Sequence, residues 1–304
     1  MKFTIYQESR IGKRTSNQDR VAYCYSRDAL LMVLADGMGG HLHGEVAAQI
    51  AVQYITEYFQ REARSRVADP FLFLSRGLTN AHSAILDYAE ERELPEAPRT
   101  TCVACIVQDS VAYWAHAGDS RLYVIRGARI LAQTRDHSRV QMLIDNGQIT
   151  EDEAAHHPSR NRVFSCLGGI QSPQIDFSRK TPLQAGDVMV LCTDGFWGPL
   201  GNADIIRGFA GTNITQAAPK MMDQAELLAG EGSDNLSLIA MNWEEDYAET
   251  TTVGAVQTQT MPLDTHTTQM EGFDRNRPRE PDLTDDDIER AISEIRTAIQ
   301  KYSK

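Results

Sequence analysis

The chain has 304 residues, enough for one large domain with an appendage or for two domains. Its hydrophobic fraction of 41% can build a sizeable core, and its formal net charge of -12 excludes a sequence-blind nucleic-acid binder, which needs an excess of Lys and Arg. No apolar run approaches the roughly 20 residues of a spanning helix, and the opening MKFTIYQES alternates like a strand rather than a signal peptide, so the expected location is the cytoplasm, with no membrane span.

Strand-like runs come first, at 2–8, 20–25 and 29–35, the third continuously apolar as in a strand buried on both faces. A glycine-rich turn, DGMGGHLHGE (36–45), leads into a helix over 45–63 with Val46, Ala47, Ile50, Ala51, Tyr54, Ile55, Tyr58 and Phe59 on one stripe. A second helix, 70–92, starts at Pro70, a residue suited to a first helical turn. Strands return at 101–108, 111–117, 121–126 and 129–134, the last two joined by a short turn at Gly127. A polar, mostly helical stretch fills 138–162, with a capping-box pattern from Thr150 to Glu153. Further strands are expected at 174–181, 187–193 and 236–242, with helices at 202–209 and 214–229. Strands cluster, and helices cluster between them. That pattern predicts an α+β fold of antiparallel sheets with helices on the outer faces.

The five cysteines (Cys24, Cys102, Cys105, Cys166 and Cys192) are odd in number and scattered through strand-like runs, as in a reduced protein. Cys102 and Cys105 form a CxxC, but residues three apart on a strand face opposite ways. Buried structural thiols are therefore expected, not a redox pair.

After Trp243 the composition changes. Residues 244–304 carry 14 acids and 7 bases, so most of the chain's charge excess lies there. The stretch 244–283 is acidic, rich in threonine (eight of them within 250–268) and without periodicity, which reads as a disordered linker. Those threonines are candidate phospho-acceptors for a kinase, read by a phosphothreonine-binding partner or by the protein itself. From Thr284 a helix is expected, capped by Thr-Asp-Asp-Asp, with Ile288, Ile292, Ile295, Ile299 and Tyr302 on a short heptad seam for docking or dimerising. The expected divisions are a catalytic domain over 1–243, a linker over 244–283 and a terminal helix over 284–304.

Four aspartates share one context. Asp36, Asp119 and Asp194 each close an apolar strand-like run, and Asp234 immediately precedes one. Gathering such carboxylates is unfavourable unless cations neutralise them, and an all-oxygen set suits hard cations such as Mg²⁺ or Mn²⁺. One such aspartate alone is an ordinary turn former; four against apolar strands shift the balance toward a metal site.

The residues at this point resemble the bacterial metal-dependent (type 2C, PPM) serine/threonine protein phosphatases. The matching stretches are RTSNQD (14–19), DGMGGHLHGE (36–45), TTCVA (100–104), AGDSRLY (117–123), TRDHS (134–138), LCTDG (191–195) and SDNLSL (233–238), in family order across nearly all of 1–243. The resemblance implies a four-layer α-β-β-α sandwich and hydrolysis of phosphoserine and phosphothreonine in proteins, opposing a cognate Ser/Thr kinase. It implies two core Mn²⁺ or Mg²⁺ ions that activate a water, with a possible third, weaker one. Asp36 would bridge the core ions, with the Gly37 carbonyl on the first and Asp194 and Asp234 on the second. Asp119 would join Asp194 at the third site. Asp19 would hold a water of the metal site, Arg14 would grip the phosphate, and His41 would protonate the leaving alkoxide. The chain departs from the family at Gln18, often a glutamate there, and at Arg99, usually a glycine. The segment 138–169 resembles the family's mobile flap, and His156 and His157 read as flap surface. Two other readings use the same residues: a phosphoesterase for small esters, and a non-catalytic binding module.

Overall fold

The computed structural model of the protein describes residues 1–38 and 43–244. His41 and the expected linker and terminal helix, apart from Glu244, lie outside the described residues.

Two antiparallel sheets form the centre. One has the order β1 (Phe3–Arg10), β11 (Leu236–Trp243), β10 (Val188–Cys192), β6 (Arg121–Arg126), β7 (Arg129–Gln133). The other runs β2 (Asp19–Tyr25), β3 (Ala29–Asp36), β4 (Cys102–Gln108), β5 (Val111–Ala117), β8 (Asp176–Phe177), with β9 (Thr181–Pro182) also paired to β5. Strand β1 alternates buried and half-buried residues, as an edge strand with one core face does. Nearly all of β3 and all of β4 are buried, matching their unbroken apolar runs and central places.

Three cores separate four layers. The sheets meet across a cluster that includes Ile5, Leu34, Val103, Leu122, Leu191 and Ile239. The outer face of the second sheet packs on α1 (Gly44–Glu62) and α2 (Pro70–Glu91) through residues such as Val33, Ile55, Leu78 and Ile106. The outer face of the first packs on α5 (Asp194–Trp197), α6 (Asn202–Phe209) and α7 (Ile214–Ala229) through Val190, Phe196, Phe209 and Met222. Cys102 belongs to the helix-side core and Cys105 to the inter-sheet core, on opposite faces of β4.

Three local departures from expectation have physical causes. The stretch 138–162 holds only two short helices, α3 (Arg139–Asp145) and α4 (Glu151–Ala155), because Gly147 takes a left-handed φ of 66° after the first. Its capping box at Thr150 and Glu153 forms as read. The single strand expected at 174–181 is broken between β8 and β9, where the Ser178 hydroxyl accepts the Trp114 N–H at 2.9 Å in place of a backbone carbonyl. The one-turn helix α5 was not expected at all. Among the described residues no helix is long and apolar enough to cross a membrane.

Candidate active site

Strand register brings the aspartates to one end of the sandwich. Asp19, which opens β2, is paired directly with Asp36, which closes β3. Cys192, at the end of β10, is paired on one side with Arg121 and on the other with Leu238. Asp119 precedes β6 by two residues, Asp194 follows β10 by two and Asp234 precedes β11 by two. All five carboxylates therefore lie at the same edge of the sandwich.

Asp19 and Asp119 are buried, whereas Asp36, Asp194 and Asp234 are half-buried. Desolvation and the neighbouring charges of Asp19, Asp194, Asp119 and Asp234 hold the Asp36 carboxyl well above the usual carboxylate range. Asp119 is raised by desolvation and then by Asp194 and Asp136, with Arg121 opposing. Asp194 is raised by desolvation and by Asp234, and it shares a hydrogen bond with Asp36.

The supporting groups are as specific as the acids. Asp19 Oδ2 accepts from the Thr193 hydroxyl at 3.0 Å and the Ser237 hydroxyl at 2.7 Å, while Asp19 Oδ1 is buried without a partner. Asn235 Nδ2 donates to the carbonyls of Ile11 and Ser16, and its Oδ1 accepts from the Gln18 N–H. That amide pins the β1–β2 loop carrying Arg14. Arg14 is 57% exposed along its side chain and donates to Asp234 Oδ2 at 2.6 Å. Gln18 Nε2 donates to Glu45 Oε2 at 3.0 Å, so the amide in place of the family's acid is tied to the start of α1.

Glycine is obligatory after two of the aspartates. A Cβ on Gly37 would stand 2.4 Å from the Gly44 carbonyl oxygen, and one on Gly195 would stand 2.0 Å from that of Asn235. The segment 138–169 is tied down at both ends by bridges from Ser138 to Val163 and from Thr100 to Leu167, and Thr100 is bridged in turn to Gly37. His156 is exposed and His157 half-buried there, as flap-surface residues are.

Among the described residues, no group of three or more His, Cys, Asp or Glu side chains stands in ready-made metal-ligating geometry. The Arg14–Asp234 pair offsets part of the negative charge instead. The donor set still fits divalent cations. It is all oxygen, its carboxyls repel one another, and the orphaned Asp19 oxygen faces no protein donor. Reading the residues in isolation misses Thr193, Ser237, Asn235 and Trp197; the first three lie within LCTDG and SDNLSL, where their hydroxyls and amide are the signal they leave in the sequence.

The sequence pattern of the family described as Protein phosphatase 2C matches residues 6–236. The serine/threonine protein phosphatase PstP of Mycobacterium tuberculosis (strain ATCC 25618 / H37Rv) is 31% identical over 238 residues, which are 78% of this chain and 44% of that longer protein. The protein phosphatase PhpP of Streptococcus pneumoniae serotype 2 is 30% identical over 243 residues, 78% of this chain and 96% of that one. A crystal structure of the catalytic domain of PstP in complex with two manganese ions superposes with a TM-score of 0.68 at 29% identity, covering 80% of this chain and 99% of that domain.

Proposed function

The chain belongs to the protein phosphatase 2C family, and from that premise we propose that it is a protein-serine/threonine phosphatase that uses Mn²⁺ or Mg²⁺ and opposes a Ser/Thr kinase. The observation that carries this reading is the convergence of Asp19, Asp36, Asp119, Asp194 and Asp234 on one edge of the sandwich, with a guanidinium at its rim.

Asp36 and the Gly37 carbonyl would hold one ion, Asp36 with Asp194 and Asp234 a second, and Asp119 with Asp194 a weaker third. Paired divalent cations lower the pKa of water toward neutrality and so provide a nucleophile. The chain's own residues do the rest. Asp19, pinned through one oxygen, has the other free to accept a hydrogen bond from water and orient it. Arg14, exposed and held by Asp234 among the described residues, can turn its fork onto two phosphate oxygens and offset the charge that grows on them. A serine alkoxide is a poor leaving group, so a proton from His41 should contribute about 10²–10⁴-fold. Gln18 adds no charge, which lowers the negative potential relative to members with an acid there.

The test is hydrolysis of a phosphothreonine peptide by the full chain with and without Mn²⁺, beside p-nitrophenyl phosphate, with Asp194→Ala as control. Mn²⁺-dependent turnover that favours the peptide and is lost in the variant supports the reading. Turnover of the small ester alone indicates a small-ester phosphoesterase, and no turnover of either indicates a binding module.

A further inference from the structure

We infer that Trp197 is a positioning residue: it sets the separation of Asp119 and Asp194, and through it the affinity of the cation site those two carboxylates share. The inference rests on the phosphatase reading above for the identity of the ligand.

Asp119 and Asp194 reach the cleft on separate pieces of backbone. Asp119 lies where the chain crosses from β5, in one sheet, to β6, in the other. Asp194 opens α5 after β10. The two charges repel, so without a restraint their segments would relax apart.

Trp197 is the last residue of α5, within the same turn as Asp194. Its backbone N–H donates to the Thr193 carbonyl at 3.2 Å, fixing it to the segment that carries Asp194. Its indole Nε1–H donates to the backbone carbonyl of Asp119 at 3.0 Å. The face of the same ring holds the Arg121 guanidinium, whose central carbon is 3.4 Å from the ring centroid. Arg121 is locked in turn by Asp136, with Nε to Oδ1 at 2.9 Å and Nη2 to Oδ2 at 2.8 Å, and it donates to the Tyr123 hydroxyl at 3.0 Å. One side chain therefore ties the Asp194 turn to the Asp119 crossing and to the start of β6, against the repulsion of the two acids. Phenylalanine at 197 keeps an aromatic ring for Arg121 and removes the N–H together with part of the indole's bulk.

Mn²⁺ titration of the metal-stripped full chain, followed by calorimetry, tests this. In Trp197→Phe the weakest Mn²⁺ site should lose about three- to tenfold in affinity, the equivalent of one hydrogen bond, while the tighter sites stay unchanged. Asp119→Ala should abolish that weak site, and adding Trp197→Phe to it should have no further effect on Mn²⁺ binding. Replacing Trp197 with benzothienylalanine, which has the shape of tryptophan without its N–H, should reproduce the Trp197→Phe result and covers the case in which phenylalanine packs poorly. The Mn²⁺ concentration for half-maximal activity should rise while kcat at saturating Mn²⁺ recovers. Unchanged Mn²⁺ affinities in both Trp197 variants, even with lowered thermal midpoints, overturn the inference. A wild-type chain that binds no Mn²⁺ removes the phosphatase reading together with it.

Discussion

Asp194 sits where its charge is costly to the fold and where the proposed function needs it. It touches the Asp36 carboxyl, lies in the field of Asp234 and is held above the usual carboxylate range by desolvation. Asp194→Asn removes a repelling charge but keeps the shape. In EDTA its thermal midpoint should therefore rise, by about 2–4 °C for about 1 kcal/mol in a domain of this size. With Mn²⁺ its turnover of a phosphothreonine peptide should fall by roughly 100-fold or more, since the proposed function makes Asp194 a cation ligand. A variant less stable than wild type in EDTA would mean that the carboxylate has a favourable partner rather than a cluster of repelling ones. The acids themselves were legible in the sequence because each stands beside an apolar run. The Arg14–Asp234 pair was not, because 220 residues separate its members and only strand order brings them together.

At the scale of elements, the site depends on what happens just beyond each strand. Thr193 follows β10, and its hydroxyl both donates to Asp19 and accepts the Ser237 N–H at 3.0 Å, joining β10, β11 and β2 through a single oxygen. Thr193→Val has the same shape, leaves the Ser237 N–H without its acceptor in a buried place and takes one of two donors from Asp19 Oδ2. It should cost about 1–3 kcal/mol in urea unfolding at constant m-value, and it should lower activity as well, because Asp19 is then held on one side only. The cap of α2 makes the opposite case. Asp69 Oδ1 accepts from the Phe71 and Leu72 N–H groups, far from the cleft. Asp69→Ala should cost about 1 kcal/mol and leave turnover unchanged. Capping signals of this kind were readable because they act within four residues. The one-turn α5 was not, because four residues carry no periodicity.

For the whole molecule, Asp19, Asp36, Asp119 and Asp194 all have raised carboxyl pKa values, through desolvation first and mutual repulsion second. Between the unfolded value near 4 and the raised folded values, the native state holds protons that the unfolded chain releases. Their contribution is thus most favourable on the acid side and is lost as pH rises through the folded values. On the proposed function, cations compete for the same oxygens and relieve the same repulsion. The gain in thermal midpoint on adding Mn²⁺ to EDTA-treated protein should therefore grow from pH 5 to pH 8, and the growth should be smaller in Asp194→Asn. A gain independent of pH would mean that the carboxyls are ionised throughout.

Sequence alone determined the elements whose signal is local: the alternating β1, the continuously apolar β3 and β4, the helices with one apolar stripe, and the opposite facing of Cys102 and Cys105. It also marked the aspartates, since a carboxylate against an apolar strand is conspicuous wherever it occurs. Tertiary structure alone decided which strand ends share an edge, which hydroxyl satisfies Asp19, and that Trp197 reaches the Asp119 carbonyl. The reason is physical. Helix and strand preferences are set within a few residues, whereas hydrogen bonds between strand ends depend on sheet order and register, which only the packing of the three cores selects.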